Sequence, residues 1–96
     1  MKNKTQKTKS KFTEFFGNRP QVRVVSIFLD NKKAELSITE LIEKANVSRP
    51  TMYKIVKALC NVQIIERTRK IGVTPMYHLQ DNNLIKCLSD LKKGLD

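Results

Sequence analysis

The sequence predicts a mainly helical α+β domain with one small β-hairpin before its last helix. Three observations carry that prediction. From Ser37 to Leu59 the chain reads SITELIEKANVSRPTMYKIVKAL, two helical patterns with separate start signals and a turn between them too short to let the helices lie side by side. Between Ile64 and Gln80 the apolar period changes from helical to alternating. Helical patterns with large apolar loads stand near both ends, behind Ser10 and behind Asp81-Asn82.

In the first helix of the pair, Ser37 and Glu40 have capping-box spacing: the hydroxyl takes an orphan backbone N–H and the carboxylate reaches back. A helix is predicted to start at Ile38, with Leu41, Ile42 and Ala45 as its apolar stripe. Asn46 follows where the chain must pass through a left-handed conformation, which Gly tolerates best and Asn next best. Val47 plugs the turn. Ser48 is placed to cap the second helix, and Pro50 sits in its first turn, where a missing N–H costs nothing. The stretch reads as a helix-turn-helix.

Met52, Ile55, Val56 and Leu59 mark the buried face of the second helix. Pro50, Lys54, Lys57 and Asn61 point the opposite way, with Thr51 and Tyr53 on the flanks. That outer face holds cations and hydrogen-bonding groups but no acid. A merely solvated helix face would also carry charge, so the turn and the overall charge must decide between the two readings.

Ninety-six residues suffice for one domain with a modest core. Nineteen Lys and Arg against nine Asp and Glu give a net charge of +10. Such a balance points to a polyanionic partner, nucleic acid before an anionic membrane surface. No apolar run approaches the roughly 18 residues of a membrane span, and no signal-peptide core follows Met1. A cytoplasmic location is expected. Cys60 and Cys87 lack the spacing and companions of a metal site and read as small, partly buried free thiols.

Residues 1–11 carry Lys2, Lys4, Lys7, Lys9 and Lys11, half of the net charge, and no acid. With nothing apolar to offset its ordering entropy, the segment is expected to be a flexible basic tail, suited to a phosphate backbone or a minor groove. Residues 12–96 form the single domain. Phe12, Phe15 and Phe16 place three of the four phenylalanines in a short helix over 12–17, an apolar load that must cover the core or meet a second subunit.

Asn18 and Gln21 repeat the capping-box spacing around Pro20, predicting a helix from Arg19 to Leu29. Its valines would allow a strand, but the cap, the proline and the polar stop Asp30-Asn31-Lys32-Lys33 favour helix. Glu35 and Leu36 fit a very short strand. Ile64–Lys70 and Pro75–Gln80 then read as a hairpin joined by Ile71-Gly72-Val73-Thr74, with Ile65 in phase with Tyr77 and Leu79, and with Arg67, Arg69 and Lys70 near the connecting loop. An ordinary edge hairpin would also use arginines against aggregation.

Asp81 or Asn82 can cap a last helix over 83–95, in which Leu84, Leu88, Leu91 and Leu95 fall at alternating steps of four and three beside Ile85. This stripe serves either self-association or docking on the domain's own core. The only histidine, His78, sits on a strand with no catalytic spacing around it and reads as an exposed residue. With no Gly-rich phosphate loop either, an enzyme is not expected.

The order helix, short strand, helix, helix, hairpin, helix resembles the winged helix-turn-helix domains, and in particular small archaeal winged-helix transcription regulators, from about Asn18 to Leu91. The resemblance rests on SITELIEKANVSRPTMYKIVKAL, on IIERTRK leading into the hairpin and on GVTPMYHLQDNNLIK leaving it. It departs from the family where Ile42 and Ala45 exchange a usual small and larger residue, where Asn46 replaces the turn Gly, and where Gln63 replaces the Gly that ends the second helix.

The resemblance implies sequence-selective binding of double-stranded DNA by a homodimer, with the second helix of the motif in a major groove and half-sites about 34 Å apart. Carried onto this chain, the contact set is Ser48, Arg49, Pro50, Thr51, Tyr53, Lys54 and Lys57 on the helix, with Arg67, Arg69 and Lys70 on the wing. Arg49 suits guanine and Thr51 a thymine methyl, while Lys44 and Lys57 suit phosphates. For such a dimer the apolar loads of the short N-terminal helix and of the C-terminal helix are the candidate elements, with docking on the core as the other use of each, and a nucleoid-associated location follows. No cofactor or metal is expected, and control by a ligand would need the dimer cleft. The same fold would also serve a nucleoid-coating or DNA-partition protein of low sequence specificity, or a module that binds only proteins; the acid-free outer face argues against the last.

Overall fold

The computed structural model describes residues 11–95 of the chain. The expected basic tail therefore lies outside the described residues except for Lys11, which opens the first helix. The order of elements is α1 (Lys11–Phe16), α2 (Pro20–Asp30), β1 (Leu36–Ser37), α3 (Ile38–Ala45), α4 (Arg49–Asn61), β2 (Ile65–Ile71), β3 (Thr74–Leu79) and α5 (Asn83–Leu95). The three strands form one antiparallel sheet in the order β1-β3-β2. A helix-turn-helix followed directly by a β-hairpin constitutes the winged-helix arrangement.

The core lies where α2, α3, α4 and the sheet converge. Val24 and Phe28 from α2, Leu41 from α3, Met52 from α4 and Ile65 from β2 are all sealed from solvent. Each occupies the position its local period assigns to the inner face. Leu36, Ile55, Val56, Leu59, Leu79 and Ile85 close the cluster.

Local sequence chemistry sets most of the boundaries. Ser37 Oγ accepts from Glu40 N at 3.2 Å and Glu40 Oε1 accepts from Ser37 N at 2.9 Å, completing the capping box of α3. Asn46 takes the left-handed conformation at φ 56°, ψ 56° and turns the chain toward α4. The second expected box, at α2, does not form. Arg19 is the N-cap residue without a side-chain bond, and Asn18 is engaged from its carbonyl side by Arg23 Nη1 at 3.2 Å. Arg23 also donates from Nε to Ala45 O at 3.0 Å, pinning α2 to the last carbonyl of α3.

The junction after α4 is the main point at which the structure explains an unusual residue. Gln63 adopts φ 65°. Its N–H reaches Cys60 O at 3.1 Å, and Ile64 N reaches Leu59 O at 2.9 Å. This pair of bonds is the Schellman closure normally given to glycine. Asn82 holds the turn from outside: Nδ2 donates to Gln63 O at 3.0 Å, while Oδ1 accepts from Ile85 N at 3.0 Å and caps α5.

The C-terminal helix is rotated relative to its leucine stripe. Ile85, Ser89 and Lys92 are its buried residues, Leu88 and Leu95 are half-buried against the core, and Leu84 and Leu91 remain exposed. Lys92 enters the interior because Asp30 Oδ1 lies 3.0 Å from its Nζ and the Phe12 ring lies under it at 5.9 Å. Phe12 is buried and meets the Phe16 ring at 4.9 Å between centroids with the planes tilted by 52°, whereas Phe15 is 69% exposed.

The Gln63 turn yields a stability prediction. Gln63→Gly should raise stability by about 1 kcal/mol, because a left-handed non-glycine residue costs roughly 1–3 kcal/mol against the extra chain entropy of glycine. Asn82→Ala should lower it by about 1–2 kcal/mol through the lost cap. Urea unfolding midpoints at constant slope are the measurement that checks both signs.

Candidate nucleic-acid interface

Two elements meet at the basic surface. Met52, Ile55, Val56 and Leu59 are buried as their spacing predicts, which fixes the rotation of α4 and turns Arg49, Pro50, Tyr53, Lys54 and Lys57 to solvent. Thr51 is half-buried on the flank. Ser48 occupies the N-cap position, but its hydroxyl makes no capping bond and instead donates to Thr51 Oγ1 at 2.9 Å. The hydroxyls of Ser48 and Thr51 are thus joined at the start of the helix, and no side chain closes the positive end of its dipole.

The hairpin presents two chemically different faces. Ile65 pairs with Leu79, Arg67 with Tyr77 and Lys70 with Pro75. Because residues 75, 77 and 79 alternate along β3, all three pairs belong to the face whose base enters the core. Arg67 and Glu66 both act electrostatically on Cys60 of α4, while Tyr77, the cross-strand partner of Arg67, feels Arg67 together with Cys60 and Tyr53 of α4. Burial pushes the Tyr77 phenol and the Cys60 thiol above their ordinary values, with Arg67 opposing in each case. Through Tyr77, which faces Tyr53 and Cys60 of α4, the register puts Arg67 and Lys70 on the side of the ribbon that continues α4.

On the other face Glu66 pairs with His78 and Arg69 with Met76. The strand register slips between Arg67 and Arg69, leaving Thr68 as a bulge. Arg69 is thereby parted from Arg67, with which simple alternation would group it. Its guanidinium binds Glu35 Oε1, from Nη2 at 2.8 Å and Nε at 3.1 Å. His78, expected to be a plain exposed residue, is half-buried with Nε2 2.7 Å from Glu66 Oε2. Glu66 of the wing and Glu35, ahead of β1, are thus engaged with partners on the face that carries no part of the Arg67–Lys70 pair.

Of the ten residues picked out by sequence, seven come together on the first turns of α4, and Arg67 and Lys70 extend that surface along the wing. Arg69 stands apart with Glu35. Sequence reasoning missed Glu35, Arg23 and the double role of Asn82. Only for Asn82 was there a signal, a capping residue whose amide nitrogen was still without a partner. Cys60 is half-buried and Cys87 exposed, both free, so the expectation of two partly buried thiols holds only for Cys60. Among the described residues no group of three His, Cys, Asp or Glu side chains could hold a metal ion, and no helix is long and apolar enough to cross a membrane.

The same architecture occurs in known regulators. The chain is similar to MepR, a transcription regulator of the Staphylococcus aureus multidrug efflux pump MepA, with a TM-score of 0.67 and 15% identity over 93% of this chain and 64% of that one. It therefore spans less than two thirds of the length of MepR. A MepR variant bound to an oligodeoxyribonucleotide gives a TM-score of 0.65 and 13% identity, covering 94% of this chain and 65% of that one. Reduced HlyU from Vibrio cholerae gives 0.65 and 18%, covering 96% of this chain and 92% of that one. No protein-family model and no curated protein matches the sequence. At these identities the similarity establishes the winged-helix fold. The neighbours are bacterial, and the archaeal part of the sequence resemblance finds no support in them.

The Glu35 contact predicts a pH response. The Thr68 hydroxyl has the largest effect on the Glu35 carboxyl and lowers it; burial, next in size, raises it, and the Arg69 hydrogen bond and charge with the charge of His78 bring it below its ordinary value. A depressed carboxyl contributes stabilisation that is complete above its unfolded value, about 4.3, and is lost as pH falls through the lower folded value. Titration by NMR should show the Arg69 and Thr68 signals constant from neutral pH to about 5, then moving together in acid with the Glu35 carboxyl.

Proposed function

We propose that the chain is a DNA-binding transcription regulator that works as a homodimer, with α4 in a major groove and the β2–β3 wing on the adjoining backbone. One observation carries the reading. The exposed side of α4 from Ser48 to Asn61 contains Arg49, Lys54 and Lys57 and no acid, and Arg67 and Lys70 continue it on the ribbon while Glu66 of the wing and Glu35 beside it are engaged on the opposite face. Such segregation costs like-charge repulsion in the free protein and is suited to a polyanion. The MepR variant solved with an oligodeoxyribonucleotide supports DNA as that polyanion.

Within this reading Lys57, Arg67 and Lys70 neutralise phosphates, and the uncapped start of α4 turns its positive end toward the backbone. Arg49 and Thr51 read base edges, with Thr51 oriented by Ser48; Tyr53 and Lys54 lie beside them and Pro50 holds the turn. Pairing of two copies is supported by Phe15, Phe16, Leu84 and Leu91, which expose large apolar surface on the two terminal helices. These helices adjoin through the Phe12–Lys92 contact. A nucleoid-associated cytoplasmic location follows from the same reading.

Lys57→Ala and Arg67→Ala should weaken binding to every duplex and each reduce the slope of log affinity against log salt by about 1. Arg49→Ala and Thr51→Ala should instead change the preferred bases, at about 1–3 kcal/mol per lost contact. Fluorescence anisotropy over a salt series, combined with selection from random sequence, distinguishes the two classes. Unchanged affinity and unchanged selected sequence in all four variants would remove the basis of the proposal.

A further inference from the structure

Glu35 belongs to neither the wing nor α4, yet it grips the wing where its register slips. Its Oε2 accepts from Thr68 Oγ1 at 2.7 Å, and its Oε1 accepts the two Arg69 bonds at 2.8 and 3.1 Å. Thr68 is the bulged residue, standing between the Arg67–Tyr77 and Arg69–Met76 pairs. The bulge decides which cations share a face. With it, Lys70 falls in line with Arg67; in a regular strand Arg69 would fall in line with Arg67 and Lys70 would point away.

We infer that Glu35 is a wing-positioning residue, which fixes the bulged register, brings Lys70 beside Arg67 on the α4 side and withholds Arg69 from the nucleic-acid contacts. The inference rests on the DNA-binding reading above. An isolated surface ion pair would be a weak basis for it. Here one carboxylate takes three charge-assisted hydrogen bonds, two from a single guanidinium and the third from the bulged residue itself. The Glu35 side chain is only 26% exposed against 64% for Arg69, so the carboxylate is the anchored end of the contact. The depressed Glu35 carboxyl agrees with a charge that stays in place at neutral pH.

The sign of one substitution tests this. By charge alone, Glu35→Ala removes an anion near DNA and frees a cation, so binding should tighten. If Glu35 positions the wing, Glu35→Ala and Arg69→Ala should each weaken binding to a short random-sequence duplex, by roughly threefold to tenfold. The double variant should be no weaker than the weaker single one. Amide hydrogen exchange of the free proteins should rise only at residues 67–71, with the melting temperature nearly unchanged. Tighter binding by Glu35→Ala, additive losses, or a rise in exchange throughout the core would each overturn the inference. Failure of the wild-type chain to bind any duplex would sink the DNA-binding reading instead. The exchange comparison would then still decide whether Glu35 holds the bulge, unchanged exchange at 67–71 overturning it.

Discussion

The left-handed turn at Gln63 is the constraint on which the remainder of the arrangement depends. It ends α4, starts the wing two residues later and receives Asn82 from the start of α5. Three elements thus share a single backbone reversal. Gln80 closes the same corner from the sheet side, its N–H on Ile64 O at 2.9 Å and its side-chain amide on Ile65 O at 3.2 Å. The direction in which the ribbon leaves the helix is therefore set by hydrogen bonds on both sides. The basic face exists as one surface only because that direction is fixed. A glycine would make the turn with less strain; a glutamine there is tolerated because its carbonyl and N–H are both held.

A parallel division of labour runs through the charged residues. Those that hold the fold are paired: Arg23 with the Ala45 and Asn18 carbonyls, Lys92 with Asp30, Arg69 with Glu35. None of the ion pairs in the described residues involves Arg49, Lys54, Lys57, Arg67 or Lys70. Structural cations are spent on carboxylates and carbonyls near the joints between elements, whereas the cations of α4 and of the Arg67–Lys70 face of the wing are in none of these pairs. Net charge alone gives no hint of this separation, because +10 can be spread in many ways.

The helix-turn-helix was legible because its signals are local: a capping box at Ser37, a left-handed Asn46, a proline in the first turn of α4 and an apolar face of helical period. The hairpin was legible from alternation, with ends one residue from those predicted. What could not be read depends on contacts between residues far apart in sequence. Glu35 meets Thr68 and Arg69 across more than thirty residues, and a bulge leaves no mark in the alternation of so short and polar a strand. The failed box at Asn18 shows the same competition from the other side, since a suitable local spacing lost its capping residue to Arg23. In α5 the leucine stripe was visible, but the pull of Asp30 and Phe12 on Lys92 rotates the helix away from it. Exposed Leu84 and Leu91 are the result.

The central claim is that one continuous surface, the first turns of α4 with the Arg67–Lys70 face of the wing, receives DNA. Titration of the isotopically labelled protein with a short duplex, followed by backbone amide shifts, tests it most directly. The account predicts that the largest changes fall at residues 48–57 and at Arg67 and Lys70, with Glu66, His78 and the exposed side of α5 little affected. Changes centred on α1 and α5, or none at α4, would contradict it.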